Sequence, residues 1–336
     1  MKFSLCLNSG FGSIEEAVKL AIQAERQGLD CIWYCQDLFQ RDAWVFLTAV
    51  ATQTKKIDLG TCIVNPYTVN PAELAMHAAT LDEYSRGRLR LGISVGAIEF
   101  LKWVGINVVH PLFSMRESIE LIRHLMKSDR VQFDGKVFKG WTQDAYMRFQ
   151  PFRDCIPIYL GAQKRRMLEL TGKIAEGGLP LLFPPEYIED VLKHISTGAT
   201  SVGRRLEEID VAGCVWLSIS KDPATALDAL RDLISYYGPH LVPEMIGKVG
   251  LTSEDFDPIR EAIAERDYQK ARKLVTSEMA QLAIYGTPTN CVEHIHTLAK
   301  KGLTHIRFGP PLGPNPVESI KLIGEKIIPN FDKNIT

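Results

Sequence analysis

Residues 59–71 read LGTCIVNPYTVNP. The apolar, partly β-branched run over 57–64 suits an interior parallel strand covered on both faces. Asn65-Pro66 then stops it, and Asn70-Pro71 makes a second turn and opens a helix at Ala72. In a parallel α/β barrel the carboxyl end of a strand is where ligands bind. This segment is more particular than a connection needs, so it points to a cofactor site. An ordinary strand-to-helix loop, with proline acting only as a stop, accounts for the same residues, and the rest of the chain has to decide.

Short β-rich runs alternate with amphipathic segments throughout, the pattern of repeated βα units around a parallel sheet. Strands are expected at 3–7, 30–34, 57–64, 89–95, 156–160, 178–182, 211–219 and 305–308. Helices are expected at 13–27, 43–53, 72–85, 114–127, 165–175, 185–196, 223–237 and 290–300. Eight such pairs predict an α/β fold of the (β/α)8 TIM-barrel type rather than an open sheet. Ser13 with Glu16 three residues on reads as a capping box, and Gly28 ends that helix before the second strand. Two excursions interrupt the pattern. VQFDGKVFKG, within 128–152, predicts a hairpin around its Asp-Gly turn before the fifth strand, and 237–286 predicts a helical insertion after the seventh. No composition shift or Gly/Ser-rich linker divides the 336 residues, so 1–336 reads as one domain carrying both insertions.

The balance of 39 basic and 40 acidic residues gives no general attraction for nucleic acid or an anionic membrane. The N-terminal MKFSLCLNSG is too short for the apolar core of a signal peptide, and no later run is long enough to span a bilayer. Cysteines at 6, 31, 35, 62, 155, 214 and 291 fall mostly in strand-like runs, where a reduced thiol packs as a small hydrophobe. A cytoplasmic protein acting on a small molecule, with no nucleic-acid or membrane partner, is expected. There is no Walker loop, GxGxxG, HExxH or Cys/His pair with zinc spacing. His294 and His296, two apart on a helix, face different directions. No metal site is expected.

Candidate chemistry falls at the carboxyl ends of the proposed strands: Cys6-Leu7-Asn8 at the first, Cys35-Gln36-Asp37 at the second and Cys62-Ile63-Val64-Asn65 at the third. The fourth ends in Val95-Gly96-Ala97 and the fifth in Gly161-Ala162-Gln163. Small residues at the last two let a flat ring or a phosphate approach the backbone, but they are equally common wherever strands turn into helices. The LGAQ segment leads into KRRMLELTG. Lys164, Arg165 and Arg166 at that helix start make either an anion cradle or a solvated basic terminus.

Taken together, LGTCIVNPYTVNP with ATLDEYSRGR, LGISVG, IPIYLGAQ with GKIAEGG, MAQLAIYGTP and GPPLGPNPVESIKLIGEKII resemble the bacterial-luciferase-like superfamily of flavin and deazaflavin oxidoreductases. The pattern is most similar to the F420-dependent methylenetetrahydromethanopterin reductase type. The resemblance implies a non-proline cis peptide at Cys62–Ile63 behind the cofactor ring, with Asn65 in the same segment. It implies that Val95, Gly96 and Ala97 line the ring and that Gly161, Ala162 and Gln163 hold the phosphate. The implied cofactor is coenzyme F420, with FMN as the alternative, and the implied activity is hydride transfer to or from a small organic substrate. An FMN-dependent monooxygenase and a non-catalytic flavin-binding barrel are the other readings.

Two departures stand out. Those reductases carry a glutamate where this chain has Cys6, and many deazaflavin members have Asp-His where it has Gln36-Asp37. Asp37, the carboxylate at the end of the second strand, is the candidate for proton transfer, with Trp33 and Trp44 expected to enclose it. A turn-capping role toward Arg41 suits it equally. The resemblance also implies a homodimer or larger homo-oligomer through the second and third helices, where Trp44, Phe46 and Leu47 serve either that contact or the core.

Overall fold

The computed structural model describes residues 1–331. Nine strands run through it: β1 Lys2–Leu7, β2 Cys31–Tyr34, β3 Asp58–Thr61, β4 Leu89–Ile93, β5 Ile158–Leu160, β6 Gly177–Gly178, β7 Asp210–Ile219, β8 Ile284–Gly286 and β9 His305–Leu312. All named pairings are parallel, and the order β6-β5-β4-β3-β2-β1-β9-β7 closes through a β6–β7 pairing into a barrel. These eight strands stand at the eight expected places. The addition, β8, pairs with the far end of β7 at Leu217 to Ile219. Its three residues are too few for an alternation to show in sequence.

The outer layer includes α1 Ile14–Arg26, α2 Ala43–Gln53, α3 Pro71–Ser85, α4 Ile98–Trp103, α5 Pro111–Met126, α6 Arg165–Ile174, α7 Ile188–Thr200 and α8 Pro223–Tyr237. Local signals set their starts. Ser13 and Glu16 form both halves of a capping box, Asp42 caps α2, and Asn70 caps α3 with Pro71 in its first turn. Between β7 and β8 lie α9 Pro243–Ile246, α10 Asp257–Ala264 and α11 Tyr268–Lys273, the expected helical insertion. The chain closes with α12 Pro288–Lys300 and α13 Pro316–Leu322.

The excursion before β5 narrows to a single antiparallel bridge, Phe133 to Trp141. Phe133 and Trp141 exchange both backbone bonds at 3.0 Å, and Gly135 N donates to Phe138 O at 2.7 Å, so the expected hairpin is present but short. Glu117 on α5 holds its turn as well: its carboxylate accepts the amides of Lys136, Val137 and Phe138 at 2.8, 2.9 and 3.1 Å. Phe46 and Leu47 are fully buried in this chain's own core, and Trp44 packs on His77 of α3 with ring centroids 5.2 Å apart. The exposed apolar side chains on α2 and α3 are Val45, Met76 and Tyr84.

Strand alternation sorts the side chains. Phe3, Leu5, Leu7 and Ile32 pack outward with the helices, whereas Cys6, Cys31, Trp33, Tyr159, Ala212, Cys214 and Trp216 fill the barrel interior. Trp33 lies in register with Gly60 on β3. A Cβ at Gly60 would sit 2.0 Å from Cε3 of the indole, so glycine makes the room that Trp33 occupies.

Polar groups close the amino-terminal end. Tyr159 donates to Asp210 at 2.8 Å, and His305 Nδ1 bonds the same carboxylate at 3.0 Å while its Nε2 meets Ser4 Oγ at 2.9 Å. Lys2 pairs with Asp210 at 3.1 Å and Arg90 with Asp58 at 2.8 Å. Burial alone would raise the Asp210 pKa, but His305, Lys2 and Tyr159 overcome it and hold the carboxyl below the usual carboxylate range. A depressed folded-state pKa stabilises above the unfolded value of about 4, and that contribution is lost as pH falls through the folded value. Asp210→Asn should therefore lower the unfolding free energy at pH 7 by on the order of 2–3 kcal/mol. It should also flatten the loss of stability between about pH 5 and pH 2, as read by urea unfolding across that range.

Candidate active site

The carboxyl ends of β3, β4 and β5 close on one another. The Cys62–Ile63 peptide is cis, at the expected position. A Cβ at Gly161 would stand 2.8 Å from Ser94 Cβ and 3.3 Å from Ile63 Cγ2, and Ser94 Oγ donates to Gly161 O at 2.7 Å. Gly96 adopts φ 83°, in the left-handed region that favours glycine, with the Asn65 amide beside it. One oxygen of Asn65 accepts from Tyr67 N, Thr68 N and Thr68 Oγ1 at 3.0 to 3.1 Å and folds the turn after the strand. Cys62, Ile63, Asn65, Gly96 and Gly161 thus come together. Val95 is half-buried against the core, and Ala97 occupies the position before α4.

The start of α6, at Lys164, has no side-chain cap and no acidic residue in its first turn. Such an end offers free N–H groups and the positive end of the helix dipole to an anion. Arg165 pairs with Glu169 at 2.7 Å on the surface. The Gln163 side chain is engaged with the chain itself: Oε1 accepts from Leu181 N at 2.7 Å and Nε2 donates to Leu181 O at 3.1 Å. It ties the exit of β6 to that of β5, beside the buried Ala162.

Asp37 is half-buried. Burial, and after it the neighbouring Cys62, raises its pKa. Its surroundings are not the expected ones. Trp33 lies inside the barrel with its ring 5.1 Å from Tyr159, and Trp44 sits between α2 and α3. Cys62 is the ionisable group whose charge acts on Asp37. Arg41 is engaged elsewhere, bonding Ser9 through its backbone N at 2.9 Å and through Nη1 at 3.2 Å. Gln36 accepts from Ala43 N at 2.6 Å and donates to Asp42 at 3.1 Å, which assigns it to the start of α2. Exposed Phe39 packs against Phe100 and Trp103 of α4, an aromatic patch that no sequence pattern singles out.

A second feature escaped the sequence reading. Cys6 Sγ lies 3.7 Å from Cys35 Sγ and 3.9 Å from Cys62 Sγ. Arg307, fully buried, donates through Nη1 to Cys62 Sγ, reaches Pro180 O at 3.5 Å and leaves Nε without a partner. Its guanidinium lies 5.9 Å from the Trp33 ring centre. The ionisable groups around it are Cys62, Cys214, Cys6 and Cys35, and among the described residues no carboxylate forms an ion pair with it. Hydrogen bonds from Cys6 and Cys62, with burial, raise the Cys35 pKa. At Cys62 the Cys35 bond lowers the pKa, but the Cys6 bond and burial prevail and push it up to about 12. The signal available in sequence was parity: Cys6, Cys35 and Cys62 each stand an even number of residues from an inward-facing neighbour. His294 instead bonds Glu186 at 2.8 Å, and the His296 ring packs on Phe331 with the planes tilted by 33°, so the two diverge as expected.

The family model for luciferase-like monooxygenase matches residues 1–305. The chain belongs to this family. Within it, the chain is 34% identical over 323 residues to a 5,10-methylenetetrahydromethanopterin reductase of Archaeoglobus fulgidus, covering 95% of each protein. It is 36% identical to the enzyme of that name from Methanolobus tindarius, covering 91% of this chain and 93% of the other. The structure of a coenzyme F420 dependent tetrahydromethanopterin reductase from Methanopyrus kandleri superposes with a TM-score of 0.92 at 31% identity, over 98% of this chain and 99% of that one. The likeness therefore extends over nearly the whole chain.

Since Arg307 leaves no carboxylate behind when removed, Arg307→Met should cost at most about 1 kcal/mol, or stabilise the barrel outright. Urea unfolding of the variant beside the parent chain measures this. A loss of several kcal/mol would show that the thiols carry the charge that pairs with Arg307 in the folded state.

Proposed function

We propose that the chain moves a hydride between coenzyme F420 and a small organic substrate. The observation that carries this reading is its nearly full-length likeness to F420-dependent reductases at 31% identity and a TM-score of 0.92. The site fits the group: the ends of β3, β4 and β5 meet through residues without bulk, and α6 begins uncapped beside them. When bound, a deazaflavin supplies or takes up a hydride at C5 of its ring.

The chain's own residues do the rest. Cys62, Ile63 and Asn65 back a flat ring, while Val95, Gly96 and Ala97 border it. Gly161, whose N–H bonds Ile93 O at 2.9 Å, contributes its lack of bulk, while backbone donors at Ala162 and the start of α6 receive a phosphate without reorganising, and Gln163 holds that loop in place. Asp37 stands at the end of β2, where it can take a proton from the substrate as hydride leaves or give one as hydride arrives. The Phe39, Phe100 and Trp103 patch offers apolar surface to the substrate beside that strand end. With Cys6 in place of the glutamate of the methylenetetrahydromethanopterin reductase type, the barrel has no carboxyl at that point, and we infer a different substrate.

We also read 1–336 as one domain and place it in the cytoplasm, in keeping with its free thiols. A homodimer through α2 and α3 would use Val45, Met76 and Tyr84 rather than the buried Phe46 and Leu47.

Fluorescence titration of the purified chain should show F420 bound at least about tenfold more tightly than FMN, and Ala162→Leu should weaken F420 by a similar factor. Oxygen uptake with reduced FMN, and no affinity for F420, would make the chain a flavin monooxygenase instead. With a substrate found by screening for F420 bleaching, Asp37→Asn should lower turnover by roughly 10²–10⁴ while F420 affinity stays the same. Near-normal turnover would assign Asp37 to structure.

A further inference from the structure

The thiols of Cys6, Cys35 and Cys62 all lie within 4.8 Å of one another at the carboxyl ends of the first three strands. They come from adjacent strands whose register is fixed by ladder bonds: Cys35 N donates to Leu7 O at 2.9 Å and Cys62 N to Tyr34 O at 2.8 Å. Cys6 is buried, whereas Cys35 and Cys62 are only half-buried, so the cluster is reachable from one side. Two of the three sulfur separations, 3.7 and 3.9 Å, bracket the edge of a tetrahedron built on metal–sulfur bonds of about 2.3 Å, which is about 3.8 Å, and the third, Cys35 to Cys62, is within 4.8 Å. A disulfide would need sulfurs about 2.05 Å apart, would use two of the three and would leave the third unexplained.

Charge argues in the same direction. With three neutral thiols, the fully buried Arg307 is an uncompensated cation in the barrel interior. Loading a divalent ion balances the site: M²⁺ plus three Cys–SH gives M(Cys–S)₃⁻ plus three H⁺, and the anionic complex then neutralises Arg307. The Arg307 N–H already directed at Cys62 Sγ becomes a hydrogen bond to a coordinated thiolate, the kind of outer contact that orients metal ligands.

We propose that Cys6, Cys35 and Cys62 form a three-thiolate site for a soft divalent cation of the zinc type, with a fourth coordination position open on the side of Cys35 and Cys62. Three protein ligands and an open position are the arrangement of catalytic rather than structural zinc sites. The site stands on sulfur geometry and on Arg307, so it is independent of which cofactor the chain uses.

Cadmium is the probe. The full chain, reduced and treated with chelator, is titrated with Cd²⁺ while the ultraviolet thiolate-to-cadmium charge-transfer band is followed, and zinc affinity is read by competition with a chromogenic chelator. One equivalent should bind with release of three protons. Cys6→Ser, Cys35→Ser and Cys62→Ser should each weaken it by roughly 100-fold or more, while Cys155→Ser and Cys291→Ser match the parent chain. Should a cluster variant fail to fold, the parent chain still decides, through its stoichiometry and through protection of three cysteines from alkylation by bound zinc. Absence of the band, protection of other cysteines, or a disulfide within the trio forming in air in the presence of zinc would overturn the proposal.

Discussion

One guanidinium sets the terms for the barrel interior. Arg307 enters from β9, is wholly removed from water and meets sulfur, indole and a single carbonyl where a carboxylate would be usual. A buried cation held that way is weak evidence for stability, because its desolvation exceeds what neutral neighbours return. Everything around it is arranged to tolerate it: Trp33 lies to one side, Cys214 and Cys62 are close by, and the carboxylates of Asp58 and Asp210 stand a layer away with partners of their own. The interior is therefore divided, with satisfied ion pairs at the amino-terminal end and an unmatched positive charge toward the catalytic end.

That division explains why the two ends behave differently. At the amino-terminal end, Tyr159, His305, Lys2 and Asp210 complete one another, as suits a face that only holds strands together. At the other end contacts are made by backbone and by residues with little bulk. Gly161, Gly96 and the Ile63 backbone approach closely, and Asn65 and Gln163 use their amides to fix loops. Rigid side chains thus hold open a surface made mostly of main chain, on which a flat ligand can lie.

The eight barrel strands were legible because parallel strands covered on both faces read as apolar runs, and the helices because Ser13, Asn70 and Pro223 announce their starts. β8 was not, being three residues long, and the Asp-Gly turn marked the hairpin before β5 without showing that Glu117, distant in sequence, also holds it. The strand-end residues proposed for the cofactor rest on resemblance to a family rather than on any pattern a single glycine or alanine could show. The thiol trio was invisible for a plainer reason. Residues 6, 35 and 62 are brought together by closing the sheet, and no spacing rule for a local motif spans three strands. Asp37 follows β2 closely in the chain, but its neighbours depended on which face each tryptophan takes, and Trp44 faces another helix.

Trp33 and Gly60 have a bearing on how this barrel can diverge. The indole occupies the volume that any side chain at 60 would need, and the two residues are directly paired across β2 and β3. Neither can change alone without an overlap or a void. The pair should behave as one inherited character: lineages that enlarge position 60 should shrink position 33, and the layer beneath the strand ends would then be rebuilt by compensated exchanges while the surface above drifts residue by residue.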